Sequence, residues 1–236
     1  MNLIKCVAVS MIAMATLCTG AAARADTTLV NDTDRQQLAG WLGKDTIQLT
    51  NIFTKTTGST AADFHAAADG KGATIVVMEA VTKSGQSFLL GGYNPSAWAS
   101  SGGYAVTNED SLRTAFLFNL TSDTIFRQML SAQHLETLGS YQTLNEAGMG
   151  PTFGWGHDLQ MAGDLTRGSS LLYSYADASL SNMNLSIADG QAYRGIDDLA
   201  FGRVEVYTIS AVPEPASLAM LALGLCVMAA RAGRKR

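Results

Sequence analysis

Apolar runs close both ends of the 236-residue chain, and all three cysteines, Cys6, Cys18 and Cys226, lie inside those end segments. The stretch between them has no disulfide, thiolate metal site or cysteine nucleophile open to it. It must hold together by burial and hydrogen bonding alone. Residues 26–210 are long enough to do so as one domain with a sizeable core.

The N-terminal run reads as an export signal. Lys5 precedes an apolar stretch over residues 6–17, small residues follow, and Ala23 and Ala25 fit the small-x-small rule for signal peptidase. The expected signal peptide is 1–25, cut after Ala25. The C-terminal run is harder to place. Its uncharged part, residues 217–230, has 14 residues, which at the helical rise reach roughly 21 Å against a hydrocarbon core of about 30 Å. Starting the helix at Ala216 and letting Arg231 and Arg234 snorkel brings a span over 216–230 near membrane thickness, with the basic tail on the cytoplasmic side. A permanent anchor would explain the run and the arginines. It gives no reason for Pro213, Glu214 and Pro215 immediately before them.

Taken in order, the export signal, the Pro-Glu-Pro triplet, the short apolar helix and "RAGRKR" resemble the PEP-CTERM proteins of Gram-negative bacteria. The resemblance implies a sorting signal over 211–236, read by a membrane-embedded exosortase and removed, with only transient membrane insertion. It also implies association with extracellular polysaccharide and biofilm.

Trimming both ends changes the charge. Residues 26–210 hold ten basic and 19 acidic side chains, a formal −9, whereas residues 211–236 carry +3. An acidic domain without a basic stripe is a poor partner for nucleic acid and is repelled by anionic headgroups.

Within 26–46, "NDTDRQQLAGWLG" predicts a short amphipathic helix, with Thr33 and Gln36 at capping-box spacing, Leu38, Trp41 and Leu42 on one face and Gly43 as its stop. "STAADFHAAADG" predicts a second, boxed by Thr60 and Asp63 and ended by Gly70. "ATIVVMEAVT" and "QSFLLGGY" read as strands joined by a tight turn at "KSG", and "TAFLFNL" and "GRVEVYTIS" as two more, with Val204 and Val206 facing away from Arg203 and Glu205. Residues 124–139 suit either a helix or the start of a strand. The expected fold class is α+β: a two-layer antiparallel β-sandwich with helices packed at its edges.

The blocks "FHAAADGKGATIVVMEA", "GGYNPSAWASSGGY", "AFLFNL", "GPTFGWGHDL" and "FGRVEVYTI" resemble the TLDc domain, in that order, over residues 47–210. The resemblance implies a sandwich of antiparallel sheets with a few flanking helices. Eukaryotic members are linked to oxidative-stress resistance and to binding the vacuolar proton pump. Where the family pattern has a further glycine, this chain has Trp155, which alters an exposed surface.

These blocks also have a structural reading. Gly91, Gly92, Gly102 and Gly103 permit positive φ or close backbone approach, and Trp98 between them is large enough to plug what they leave open. Gly150, Gly154 and Gly156 follow the same logic, with Asp158 placed to accept backbone amides in a tight turn. The alternative is a hydrolase site, for which Ser100, Ser101, His157, Asp158 and Glu205 supply the residue types. Against it, neighbouring strand residues point to opposite faces, and no Gly-x-Ser-x-Gly elbow is present. His65, His134 and His157 lack metal-ligand spacing and read as surface histidines; no cofactor site is read. Two function classes follow: an exported non-catalytic module binding a surface polysaccharide or envelope protein, or an envelope hydrolase or stress-protective enzyme.

Overall fold

The computed structural model describes residues 28–131, 138–192 and 195–211. The expected signal helix with Ala23 and Ala25, the span over 216–230 with Pro213, Glu214, Pro215, Arg231 and Arg234, and His134 lie outside the described residues.

Helix α1 (Asp32–Trp41) starts two residues earlier than the Thr33/Gln36 box predicts. Asn31 is the N-cap: its side chain accepts the Asp34 N–H at 3.0 Å, and the Asp34 carboxylate accepts the Asn31 N–H at 3.0 Å. Helix α2 (Ala61–Ala68) follows strand β1 (Ile47–Thr54). The Asp63 carboxylate accepts both the N–H and the hydroxyl of Thr60, at 2.8 and 3.0 Å, and Gly70 follows in the left-handed region.

The rest is antiparallel strand: β2 (Thr74–Thr82), β3 (Ser87–Asn94), β4 (Ser101–Val106), β5 (Phe116–Asn119), β6 (Thr124–Arg127), β7 (Tyr141–Glu146), β8 (Thr152–Phe153), β9 (Leu159–Met161), β10 (Arg167–Ser169) and β11 (Leu199–Ala211). The stretch from Thr124 resolves to strand, because it pairs with β5 from Asn119↔Thr124 to Phe116↔Arg127. Hydrogen bonding runs β4-β7-β8-β9-β10-β11-β2-β3-β5-β6, with β1 also on β11. Strand β11 joins the two layers. Its first residues pair with β10, its later ones with β1, and β2 occupies its other edge.

Two apolar cores result, one on each face of β2. Val76, Met78 and Ala80 face Phe153, Leu159 and Met161 of the opposite layer, together with Phe64 and Ala68 of α2. Ile75 and Val77 face Phe116, Phe118 and Tyr207, closed over by Leu38 and Ala39 of α1. The helices therefore cover faces of the sheet, and α2 contributes directly to the inter-layer core. Because β2 is buried on both sides, its sequence is a near-continuous apolar run without alternation.

The glycine pairs act in two different ways. Neither Gly91 nor Gly92 has positive φ. A Cβ on Gly91 would lie 2.1 Å from the Val76 carbonyl oxygen and 2.4 Å from the Phe118 ring, and one on Gly92 would lie 2.6 Å from the Phe153 ring. Phe118 and Phe153 occupy the space these two leave, a correction to the expectation that Trp98 does. Gly102 and Gly103 have open space but φ of 83° and 85°.

Candidate functional site

Trp98 is 1% exposed. Its indole N–H donates to Thr74 Oγ1 at 2.8 Å, and its ring meets Phe64 and Phe153 edge-on, both at 5.3 Å. An indole buried to this depth and satisfied from within the chain is a core anchor. The loop carrying it is tied down by Gly70, whose N–H donates to the Trp98 carbonyl at 3.1 Å.

A tightly constrained turn runs from Gly154 to Asp158, between β8 and β9. Gly154 has φ 76°, and His157, with φ 57°, holds a conformation that side-chain-bearing residues seldom adopt. A Cβ on Gly154 would come within 1.9 Å of Asp158 Oδ2, and one on Gly156 within 2.6 Å of Tyr173 Cβ. Both glycines are thus required by close approach. Asp158 is fully buried, and its Oδ1 accepts the Tyr173 and Tyr175 N–H groups at 2.6 and 2.7 Å. Its Oδ2 is buried without a hydrogen-bond partner. Burial pushes the carboxyl up to about 7, against the opposing pull of the backbone amides.

The five hydrolase-type residues do not converge. The hydrogen bond of His157 Nε2 is with the Tyr104 hydroxyl at 3.4 Å, while the Asp158 carboxylate is turned to the segment at 173–175. Ser100 and Ser101 are exposed at the start of β4, and among the described residues no hydrogen bond joins either to His157. Glu205 is 2% exposed on β11. Its Oε2 accepts the Leu29 N–H at 2.8 Å and the Tyr207 hydroxyl, and its Oε1 accepts Arg203 Nη2 at 2.5 Å. The carboxylate therefore pins the start of the domain onto β11. Strand β11 is thus buried on the Glu205 side as well as on the Val204 and Val206 side.

His65 corrects the surface reading. It is 6% exposed, with Nδ1 2.7 Å from Asp69 Oδ1 and Nε2 3.1 and 3.2 Å from the carbonyl oxygens of Glu146 and Met149. Nδ1 is engaged by the C-cap residue of α2 itself, and Nε2 ties the helix to the end of β7 and the turn after it.

One feature at this end of the molecule has no counterpart among the catalytic candidates. Trp155, 48% exposed, lies 4.3 Å from the Tyr141 ring and 5.3 Å from the Tyr104 ring, centroid to centroid. Tyr104 and Tyr141 meet edge-on at 5.2 Å. Burial raises the Tyr104 phenol above its ordinary value, and the nearby carboxylates add to the shift. Trp155 stood out in the sequence by replacing a glycine; Tyr104 and Tyr141 did not, since only the β4–β7 register brings them together.

Shallow grooves of about 660, 500 and 410 Å³ lie elsewhere, beside Glu79 and Arg203, beside Lys55 and Asp164, and beside Arg35 and Asp45. Lys55, at the second of these, donates to the Phe201 and Gly202 carbonyl oxygens at 2.8 and 2.9 Å, which holds the bulge in β11.

A family model for the TLDc domain matches residues 24–210, and one for the PEP-CTERM protein-sorting motif matches residues 211–236. No curated protein matches the chain.

Proposed function

The chain belongs to the TLDc domain family, and from that premise we propose that it is a non-catalytic binding module, which associates with polysaccharide or another component of the surface to which its sorting motif sends it. The PEP-CTERM motif implies export and processing by an exosortase, with a cell-surface or secreted destination. We further propose that signal peptidase cuts first, after Ala25, and that the mature region 26–210, an N-terminal helix segment over 26–46 followed by the TLDc-like domain over 47–210, stays outside. Family membership alone does not carry a function, since one fold hosts many.

The observation that carries the reading is the commitment of Asp158. Its one hydrogen-bonded oxygen holds the Tyr173 and Tyr175 amides, so it does not orient the His157 ring, and His157 in turn meets a tyrosine instead of a serine. A nucleophile, base and orienting acid would need the opposite arrangement. The strain of the Gly154–Asp158 turn serves instead to project side chains outward.

The test is capture of envelope and polysaccharide extracts by the processed protein purified from cells that express the full chain. Retention of a polysaccharide or a defined envelope component, recovered chemically intact, supports the module. Turnover of an ester or glycoside that His157→Ala abolishes would replace it with the hydrolase.

A further inference from the structure

We propose that Trp155, braced by Tyr104 and Tyr141, is a stacking platform for a neutral glycan. The proposal rests on the binding-module reading and gives that reading a site and a ligand class.

The three rings touch one another, at centroid separations from 4.3 to 5.3 Å, so they enclose no space between them. A cage for a cationic group needs rings set apart around a cavity. Here two half-buried tyrosines back a single half-exposed indole, which leaves a broad aromatic surface for a ligand to lie on. Such a surface suits the axial C–H face of a pyranose ring, which is apolar while its edge carries hydroxyls.

The rim supplies the matching polar groups. His157 and the Tyr104 hydroxyl meet each other beside the platform, Glu146 lies at the end of β7, and Ser101 is paired opposite Glu146 on β4. These groups accept and donate hydrogen bonds to hydroxyls without a fixed positive charge. Charge decides between glycan classes. Glu146 stands at the rim, and residues 26–210 carry a formal −9, so uronate or sulfate polymers are repelled.

The platform is also held in place. The Trp155 N–H donates to Ser174 Oγ at 3.0 Å, the Gly154 N–H to the Gln142 carbonyl at 3.0 Å, and the turn is locked by positive φ at Gly154 and His157. An exposed indole on a backbone fixed at both ends loses little freedom when a ligand stacks on it.

The experiment is affinity electrophoresis of the processed protein, purified from cells expressing the full chain, through gels holding soluble β-1,3-glucan, β-1,4-glucan, galactomannan, dextran or alginate. The expected result is retardation by at least one neutral polymer, weakened at least about tenfold by Trp155→Ala and restored by Trp155→Tyr. Trp155→Gln serves as the second variant if the alanine form does not fold. Equal retardation of wild type and Trp155→Ala overturns the platform and leaves the module with its site elsewhere. Retardation by alginate alone overturns the neutral-glycan assignment. No retardation in any gel overturns both the platform and the polysaccharide reading.

Discussion

The Asp158 carboxylate accepts the Tyr175 N–H at 2.7 Å, joining the strained turn before β9 to a segment 17 residues further along the chain. A second amide, from Tyr173, meets the same oxygen. One buried acid thus sets the shape of two loops, and it does so under electrostatic strain, because burial raises its pKa more than the amides lower it.

That strain predicts a pH dependence. The folded-state value of about 7 lies above the ordinary 3.8, so the folded state holds the proton more tightly than the unfolded chain. The stability Asp158 contributes is fully present below the ordinary value, declines as pH rises, and is lost above about 7; the full swing is roughly 4 kcal/mol. Asp158→Asn keeps an oxygen for the two amides and removes the titration. Urea midpoints at pH 4.5, 6 and 8 should fall for wild type and stay level for the variant. Parallel falls would show that other groups set the slope.

The indole of Trp98 gives a second test. Its surroundings, Phe64, Phe153 and Thr74, leave little room for collapse, so Trp98→Ala should cost about 3 to 5 kcal/mol. Thr74→Val isolates the polar part: it keeps the shape, leaves the indole N–H unpaired, and should cost about 1 to 3 kcal/mol. Chemical denaturation measures both. A near-neutral Trp98→Ala would mean that the residue is not a core anchor.

The two glycine pairs should respond differently. Alanine at Gly91 places a methyl 2.1 Å from the Val76 carbonyl oxygen, inside the central pairing of β2 with β3, and cannot be relieved by a side-chain rotation. The expected loss is about 3 kcal/mol or more, at the upper end of overpacking. Alanine at Gly102 meets open space and carries only the left-handed backbone penalty, about 1 to 2 kcal/mol. Equal losses would contradict the distinction between close approach and positive φ.

Parts of this architecture are plain in the sequence. Helix α2 announces itself through Thr60, Asp63 and Gly70, and β2, β3 and β11 through β-branched runs with glycines beside them. The start of helix α1 is ambiguous in sequence because Asn31 and Thr33 are both good caps with a polar residue three positions on; the folded chain uses Asn31, with Val30 before it buried in the second core. Strands β8, β9 and β10 have two or three residues each and hold no period to read. His65 looked exposed because its partners at Glu146 and Met149 are more than 80 residues away. The aromatic platform was half legible: a tryptophan in place of a glycine is visible, whereas its two tyrosine supports depend on the pairing of β4 with β7.

The last prediction concerns the tail. Strand β11 ends at Ala211, paired with Ile47 at the start of β1, so only five residues separate the folded edge from Ser217. Even fully extended, the six steps from Ala211 to Ser217 reach no more than roughly 22 Å. If the apolar run inserts, the domain is expected to sit close against the membrane, and two prolines within three residues are sequence features that disfavour helix before Ser217. Pulse labelling in the native host should reveal a membrane-bound intermediate that begins at Asp26, followed by a shorter form lacking the apolar run and its basic cap. Replacing Pro213, Glu214 and Pro215 with alanine leaves the apolar run intact and removes what the processing enzyme reads, so the intermediate should accumulate. Intact-mass measurement of the mature wild-type protein decides the matter, because a species that still ends at Arg236 would make the tail a permanent anchor.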